Sequence, residues 1–197
     1  YQQALNCPNP PERAFGELAL LAKANPHLML DSDGLLDQMV TVCNSAESRR
    51  LRAMAFSEQN RIAEALPHVW KGLESAPDDI GLNAILVNCL QLSDTSGKPQ
   101  SGSSQTPANT NNADLLKGIR HLQDCVERIP KESAFRIQLA ALLWKNQQQA
   151  EAIQILEAGI DRNSRTYQLH GVLIEYLLSQ DNADKADTLL QSLPANA

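Results

Sequence analysis

Stretches of this chain repeat one pattern of small and apolar residues, in register, every 34 residues. Ala53, Phe56, Ala65, Val69, Gly72 and Pro77 fall at fixed offsets. Ala140, Leu143, Ala152, Leu156 and Gly159 keep the same offsets from one another, and Leu177, Ala186 and Leu190 keep them one period later. A fixed period of this length confines the chain to a stacked array of helix pairs, because each unit can bury its apolar face only against its neighbours. Architecture is tightly constrained by that pattern; function is not.

Within a period the apolar spacing predicts two helices. In the first complete unit, 46–79, a helix over 48–58 presents Leu51, Met54 and Ala55, and residues 57–60 make a turn. A second helix over 61–76 carries Ile62, Leu66, Val69 and Leu73 on one stripe. Pro77 ends it, since the residue before a proline is driven out of helical geometry. Asp78 and Asp79 then stand as candidate N-caps for the next helix. That helix, over 80–92, opens the second unit on time.

Residues 93–112 hold no large apolar side chain and cannot offset their own ordering entropy. Helix is expected to resume at Ala113, with Leu115, Leu116, Ile119, Leu122 and Val126 as its buried stripe, and to stop before Pro130. Because the period resumes in phase, 93–112 is expected to be a flexible insertion inside one repeat, and the first point of proteolytic attack. Helices over 132–145 and 148–160 make the third unit. The fourth has helices over 166–179 and 182–193, with Asp181 as N-cap. Before residue 46 the pattern degrades, so 1–45 is expected to form an irregular N-terminal helix pair capping the array. Residues 46–197 then hold four repeats.

With a formal net charge of −6 and a pI near 5.2, the chain has no counterion-release drive towards nucleic acid or anionic lipid. No apolar run approaches the roughly 20 residues needed to span a bilayer. The chain is therefore expected to bind no nucleic acid and to insert in no membrane. It begins at Tyr1 without an initiator methionine or a signal sequence, and so reads as a processed product or a fragment. Cys7, Cys43, Cys89 and Cys125 lie far apart with no metal-ligand spacing, and Cys89 and Cys125 fall on apolar helical positions. Reduced, mostly buried thiols are expected, and the compartment, otherwise open, leans to the cytoplasm.

Nothing in the sequence points to catalysis, a cofactor or a metal. His27, His68, His121 and His170 are scattered, with no nucleophile at a recognisable spacing. Gly97-Lys98 has Pro99 where a phosphate loop needs Ser or Thr. Arg49, Arg50, Arg52 and Arg61 cluster, and are expected to form a solvated face paired with Glu47, Glu58 and Glu64.

At these residues the chain resembles the tetratricopeptide repeat (TPR) family, whose unit favours small residues at positions 8, 20 and 27, apolar ones at 11 and 24, and Pro at 32. Counting from Ala46, those positions hold Ala53, Ala65, Gly72, Phe56, Val69 and Pro77; counting from Ser133, they hold Ala140, Ala152, Gly159, Leu143 and Leu156. Counting from Tyr167, Leu177, Ala186 and Leu190 fit, while Ile174 is a poor match at position 8. The resemblance implies an all-α fold of about ten helices, a right-handed superhelical α-solenoid of antiparallel helix pairs. It also implies a non-catalytic scaffold whose first helices line a concave groove that takes a protein or peptide segment. On that register Arg50, Met54, Asn88, Gln91, Gln138, Trp144 and Glu175 are the expected peptide-binding residues. Heat-shock co-chaperones of this fold grip a terminal carboxylate with Lys and Asn at positions 5 and 9; Arg50 and Met54, then Ala84 and Asn88, do not reproduce that clamp. Two other readings stay open: an accessory domain of a larger enzyme, and an envelope assembly factor without its signal peptide. The oligomeric state is open.

Overall fold

The computed structural model describes residues 11–25, 27, 30–93, 108–162 and 167–193. Among these residues there are ten helices and no strand: α1 (Glu12–Ala24), α2 (Ser32–Cys43), α3 (Ala46–Glu58), α4 (Ile62–Ser75), α5 (Ile80–Leu92), α6 (Ala108–Arg128), α7 (Ser133–Lys145), α8 (Gln149–Arg162), α9 (Tyr167–Ser179) and α10 (Ala183–Gln191). Helix α6 begins five residues before Ala113, the start expected from apolar spacing. Most of the polar stretch 93–112 lies outside the described residues.

Helix starts follow local chemistry. Ser45 and Ser48 cap α3 reciprocally, each side-chain oxygen accepting the other's backbone N–H at 3.0 Å. Asp79 is the N-cap expected before α5, its Oδ1 accepting from the Leu82 N–H at 2.7 Å.

Asp181 is a correction. It has φ 56° and sits in the turn, not at a cap; Asn182 precedes α10 and makes no side-chain cap bond. The reason is a turn shared by three repeats. Asn60, Gln147 and Asp181 occupy the same repeat position, and all three are left-handed, at φ 57°, 63° and 56°. Each closes the preceding helix the same way. Its own N–H reaches the carbonyl three residues back (Asn60 to Ser57 3.0 Å, Gln147 to Trp144 3.1 Å, Asp181 to Leu178 3.1 Å). The next N–H reaches five back (Arg61 to Phe56 2.8 Å, Gln148 to Leu143 2.9 Å, Asn182 to Leu177 3.0 Å), which satisfies carbonyls the helix end would otherwise orphan.

The small positions sit where the helices of a pair cross. Ala53, Ala65, Ala140 and Ala152 are fully buried, as close crossings require. Gly72 and Gly159 repeat one further contact. A Cβ on Gly72 would lie 2.9 Å from Leu82 Cδ1 and 3.3 Å from Arg49 Cβ. On Gly159 it would lie 2.9 Å from Leu169 Cδ1 and 2.7 Å from Arg136 Cδ. In both repeats the glycine lets the following first helix lay a leucine on the pair while an arginine stem passes beside it.

The chain divides into two compact units, 1–89 and 90–197. In the first, α1 packs on α2, α2 on α3, and α3 on α4. Phe15, Ala19, Leu36 and Met39 form a core cluster there, with Leu35, Cys43, Leu51 and Ala55 against it. Full burial of a side chain the size of Phe15 or Met39 stabilises by about 1.5–3 kcal/mol. In the second unit α6 packs on α7, α7 on α8, α8 on α9 and α9 on α10, and α7 also touches α9. Its core includes Leu122, Phe135, Leu139, Leu142, Leu143, Leu156 and Leu169. Leu190 departs from the pattern: it is 55% exposed, whereas Val69 and Leu156 at the same repeat position are fully buried. In those two repeats the following first helix lays Leu82 or Leu169 against the same helix, at Gly72 and Gly159.

Candidate functional site

The residues expected to line a groove stand differently in each unit. In the first, Arg50 is half-buried and tied to Glu47 by bonds of 2.8 and 2.7 Å, while Met54 is 37% exposed. Asn88 is exposed and donates to Ser57 Oγ at 2.9 Å. In the second, Gln91 is exposed and its carbonyl accepts from Lys145 Nζ at 3.0 Å. Gln138 is buried. Glu175 is exposed. Trp144 is half-buried on α7 and stacks on Tyr176 of α9, ring centroids 4.0 Å apart and planes 30° apart. Burial, then the charge of Glu175, raises the Tyr176 phenol pKa above its ordinary value. Trp144 thus joins two successive first helices, and one part of the pair remains wet.

Met54 leads to residues that the repeat register did not single out. Between α1 and α3, over the start of α2, lies a cleft of about 300 Å³. Its apolar lining comes from Ala19, Leu20, Leu36, Leu51, Met54 and Ala55. Leu20 is 62% exposed. Lys23 and Glu58, an exposed pair at the ends of α1 and α3, close one end. Gly16, Leu20 and Leu51 also line an adjoining depression with Glu12, Glu17 and Glu47 on its rim, so the groove continues along both helices. The available signal was the run Leu18-Ala19-Leu20-Leu21, which is apolar on more than one face of α1. A second cleft, of about 440 Å³, lies over α8–α10 and includes Leu173, Leu177, Lys185 and Leu189.

The arginine cluster is not the uniform solvated face expected. Arg50–Glu47 and Arg61–Glu64 pair as anticipated, but Glu58 pairs with Lys23 instead. Arg52 is buried, bridging to Asp33 at 2.6 Å and Asp37 at 2.8 Å on the preceding helix. Its guanidinium lies 3.9 Å from the Phe56 ring centroid, with Arg61 over the same ring at 4.5 Å. The hydrogen bond from Arg52 is the main reason the Asp33 carboxyl pKa falls below its ordinary value. Sequence reasoning missed this because both carboxylates lie before residue 46, where the periodicity fails.

Of the four cysteines, Cys7 lies outside the described residues. Cys43, Cys89 and Cys125 form no disulfide, and burial pushes the Cys43 and Cys89 thiols up. His121 Nε2 stands 3.7 Å from the Cys125 sulfur, on one face of α6, and Arg128 donates to that sulfur at 3.3 Å; the sulfur is fully buried. Among the described residues no group of His, Cys, Asp and Glu could hold a metal ion, and no helix is long and apolar enough to cross a membrane.

No protein-family model and no curated protein sequence matches the chain. Solved structures do. A thermophilic TPR protein of Thermus thermophilus, TTC0263, is similar over 94% of this chain and 93% of its own, at 14% identity and TM-score 0.61. MamA from Desulfovibrio magneticus RS-1 (residues 41 to the end) is similar over 92% of each chain, at 11% identity and TM-score 0.61. The MamA MSR-1 structure is similar over 91% of each, at 14% identity and TM-score 0.54. The chain has the all-α, TPR-like helical-repeat fold.

Proposed function

We propose that this chain is a non-catalytic scaffold that binds a segment of another protein along the faces of its first helices. One observation carries the reading: exposed Leu20 and Met54 line one cleft between α1 and α3, whose floor is otherwise apolar. An apolar floor with a charged rim is the usual anatomy of a peptide-binding surface. The TPR-like fold supports it, since helix pairs in such arrays present one helix of each pair along a common face. In the second unit the Trp144–Tyr176 stack offers an amphipathic aromatic surface of the kind that carries hot spots.

Site-specific photo-crosslinking tests the proposal. A crosslinker placed at Met54 or Glu175, on first helices, should capture the partner, whereas one at Lys71 or Asp161, on exposed second-helix positions, should not. Adducts formed only from the second-helix positions would overturn it.

A further inference from the structure

The groove on the first unit has a charge as well as a shape, and the charge selects a partner. Residues 1–89 contain eleven acidic side chains against seven basic ones, so −4 of the net −6 resides in this unit. The groove lining carries the same sign, with Arg50 and Arg52 set against its Glu47 and Asp33. Glu12, Glu17 and Glu47 rim one end and Asp33 and Glu58 the other, against Arg13 and Lys23. Several of these carboxylates are held by the protein's own cations: Glu17 by Arg13, Glu47 by Arg50, Asp33 by Arg52 and Glu58 by Lys23. Those pairs differ in kind. Arg52 is buried and fixed, whereas Lys23 and Glu58 are 64% and 48% exposed at the groove mouth, where an ion pair is weak and exchangeable.

We infer that the α1–α3 groove binds a lysine- or arginine-bearing peptide segment through an aliphatic anchor on Leu20 and Met54, with the incoming cation replacing Lys23 beside Glu58. This rests on the scaffold reading and adds the sign of the partner's charge. The apolar floor desolvates the anchor, and the carboxylates at both ends favour a segment whose cations flank it. An acidic segment would meet carboxylates of its own sign at either end. Lys23 then acts as an internal competitor for the site, occupying the carboxylate the ligand needs.

That competition gives an unusual test. The probes are a fluorescein-labelled dodecapeptide of leucine, serine and lysine, and the same peptide with glutamate at every lysine, titrated against the full chain by fluorescence anisotropy. The lysine peptide should bind, more weakly as salt rises, and the glutamate peptide should not. Leu20→Asn should weaken the lysine peptide about tenfold, the scale of losing an anchor, with unchanged circular dichroism because Leu20 is already exposed. Glu47→Gln should weaken it by about threefold. Lys23→Ala should tighten it about twofold to fivefold, the scale of one exposed ion pair. Equal binding of both peptides, no binding of the lysine peptide, or indifference to Leu20→Asn and Lys23→Ala would overturn the inference. A chain that ignores the lysine peptide yet crosslinks a partner from Glu175 would refute the inference and leave the scaffold reading standing.

Discussion

Gly159 and Gly171 lie in consecutive helices of one unit, α8 and α9, and replacing each by alanine isolates the cost of a close helix crossing. Both changes remove a helical glycine, which by itself stabilises by roughly 0.5–1 kcal/mol, because alanine has less unfolded-state entropy to lose. At Gly171 nothing lies within 4 Å of the added Cβ, so the full gain should appear. At Gly159 the methyl would stand 2.7 Å from Arg136 Cδ and 2.9 Å from Leu169 Cδ1. Neither neighbour has open space to enter: Arg136 is 5% exposed and Leu169 is 1% exposed. Overpacking of this kind costs about 1–3 kcal/mol, which outweighs the helical gain. The two variants should therefore move in opposite directions and end about 1–3 kcal/mol apart. With a urea slope of about 2 kcal/mol per M, their midpoints by circular dichroism should separate by about 0.5–1.5 M. Equal shifts for both, or a stabilised Gly159→Ala, would refute the argument that this glycine is there to admit its neighbours.

Arg52→Met keeps most of the buried stem but removes the charge, and should destabilise the first unit by about 1–2 kcal/mol in a thermal melt; Asp33 and Asp37 face water and can rehydrate, which limits the loss. Because the folded-state pKa of Asp33 is lowered, its contribution is present above the ordinary value of 3.8 and lost as pH falls through the folded value; the gap between parent and variant should narrow below pH 3.8. Leu156→Ala should cost about 2–5 kcal/mol and Leu190→Ala under about 1 kcal/mol, by urea denaturation, because only the first is buried. Gln147→Gly should stabilise by about 1 kcal/mol in the same assay, since a left-handed backbone suits glycine better than glutamine.

What could be read from the sequence tracks how far each residue's surroundings are set by its own repeat. Ala53, Ala65, Ala140 and Ala152 answer to a helix a few residues away, so their burial followed from spacing alone. Arg52 answers to Asp33 and Asp37, outside the periodic region, and its pattern on α3 was that of any exposed arginine. Leu20 escaped notice for the same reason: α1 carries no register from which to tell a groove position from a core one. Asp181 was misplaced by one residue because a cap and a left-handed turn favour the same side chains, and only the hydrogen bonds to Leu177 and Leu178 distinguish them. Gln138 sits at a first-helix position whose facing neighbours, not its spacing, decide its burial.

The packing of each helix on those next to it in sequence also governs how the chain would behave under load. Within each unit nearly every contact closes a short loop, so little entropy stands between a pair and its formation, and assembly of a unit should be fast for its size. The same wiring leaves few clasps between helices far apart in sequence; the bond from Lys145 to the Gln91 carbonyl is one in the second unit. Tension applied at the two ends of a unit would peel helix pairs away one after another, at modest force, in steps set by the length of a repeat. A partner bound along α1 and α3 would add a contact bridging two such steps, and binding would be felt as mechanical stiffness.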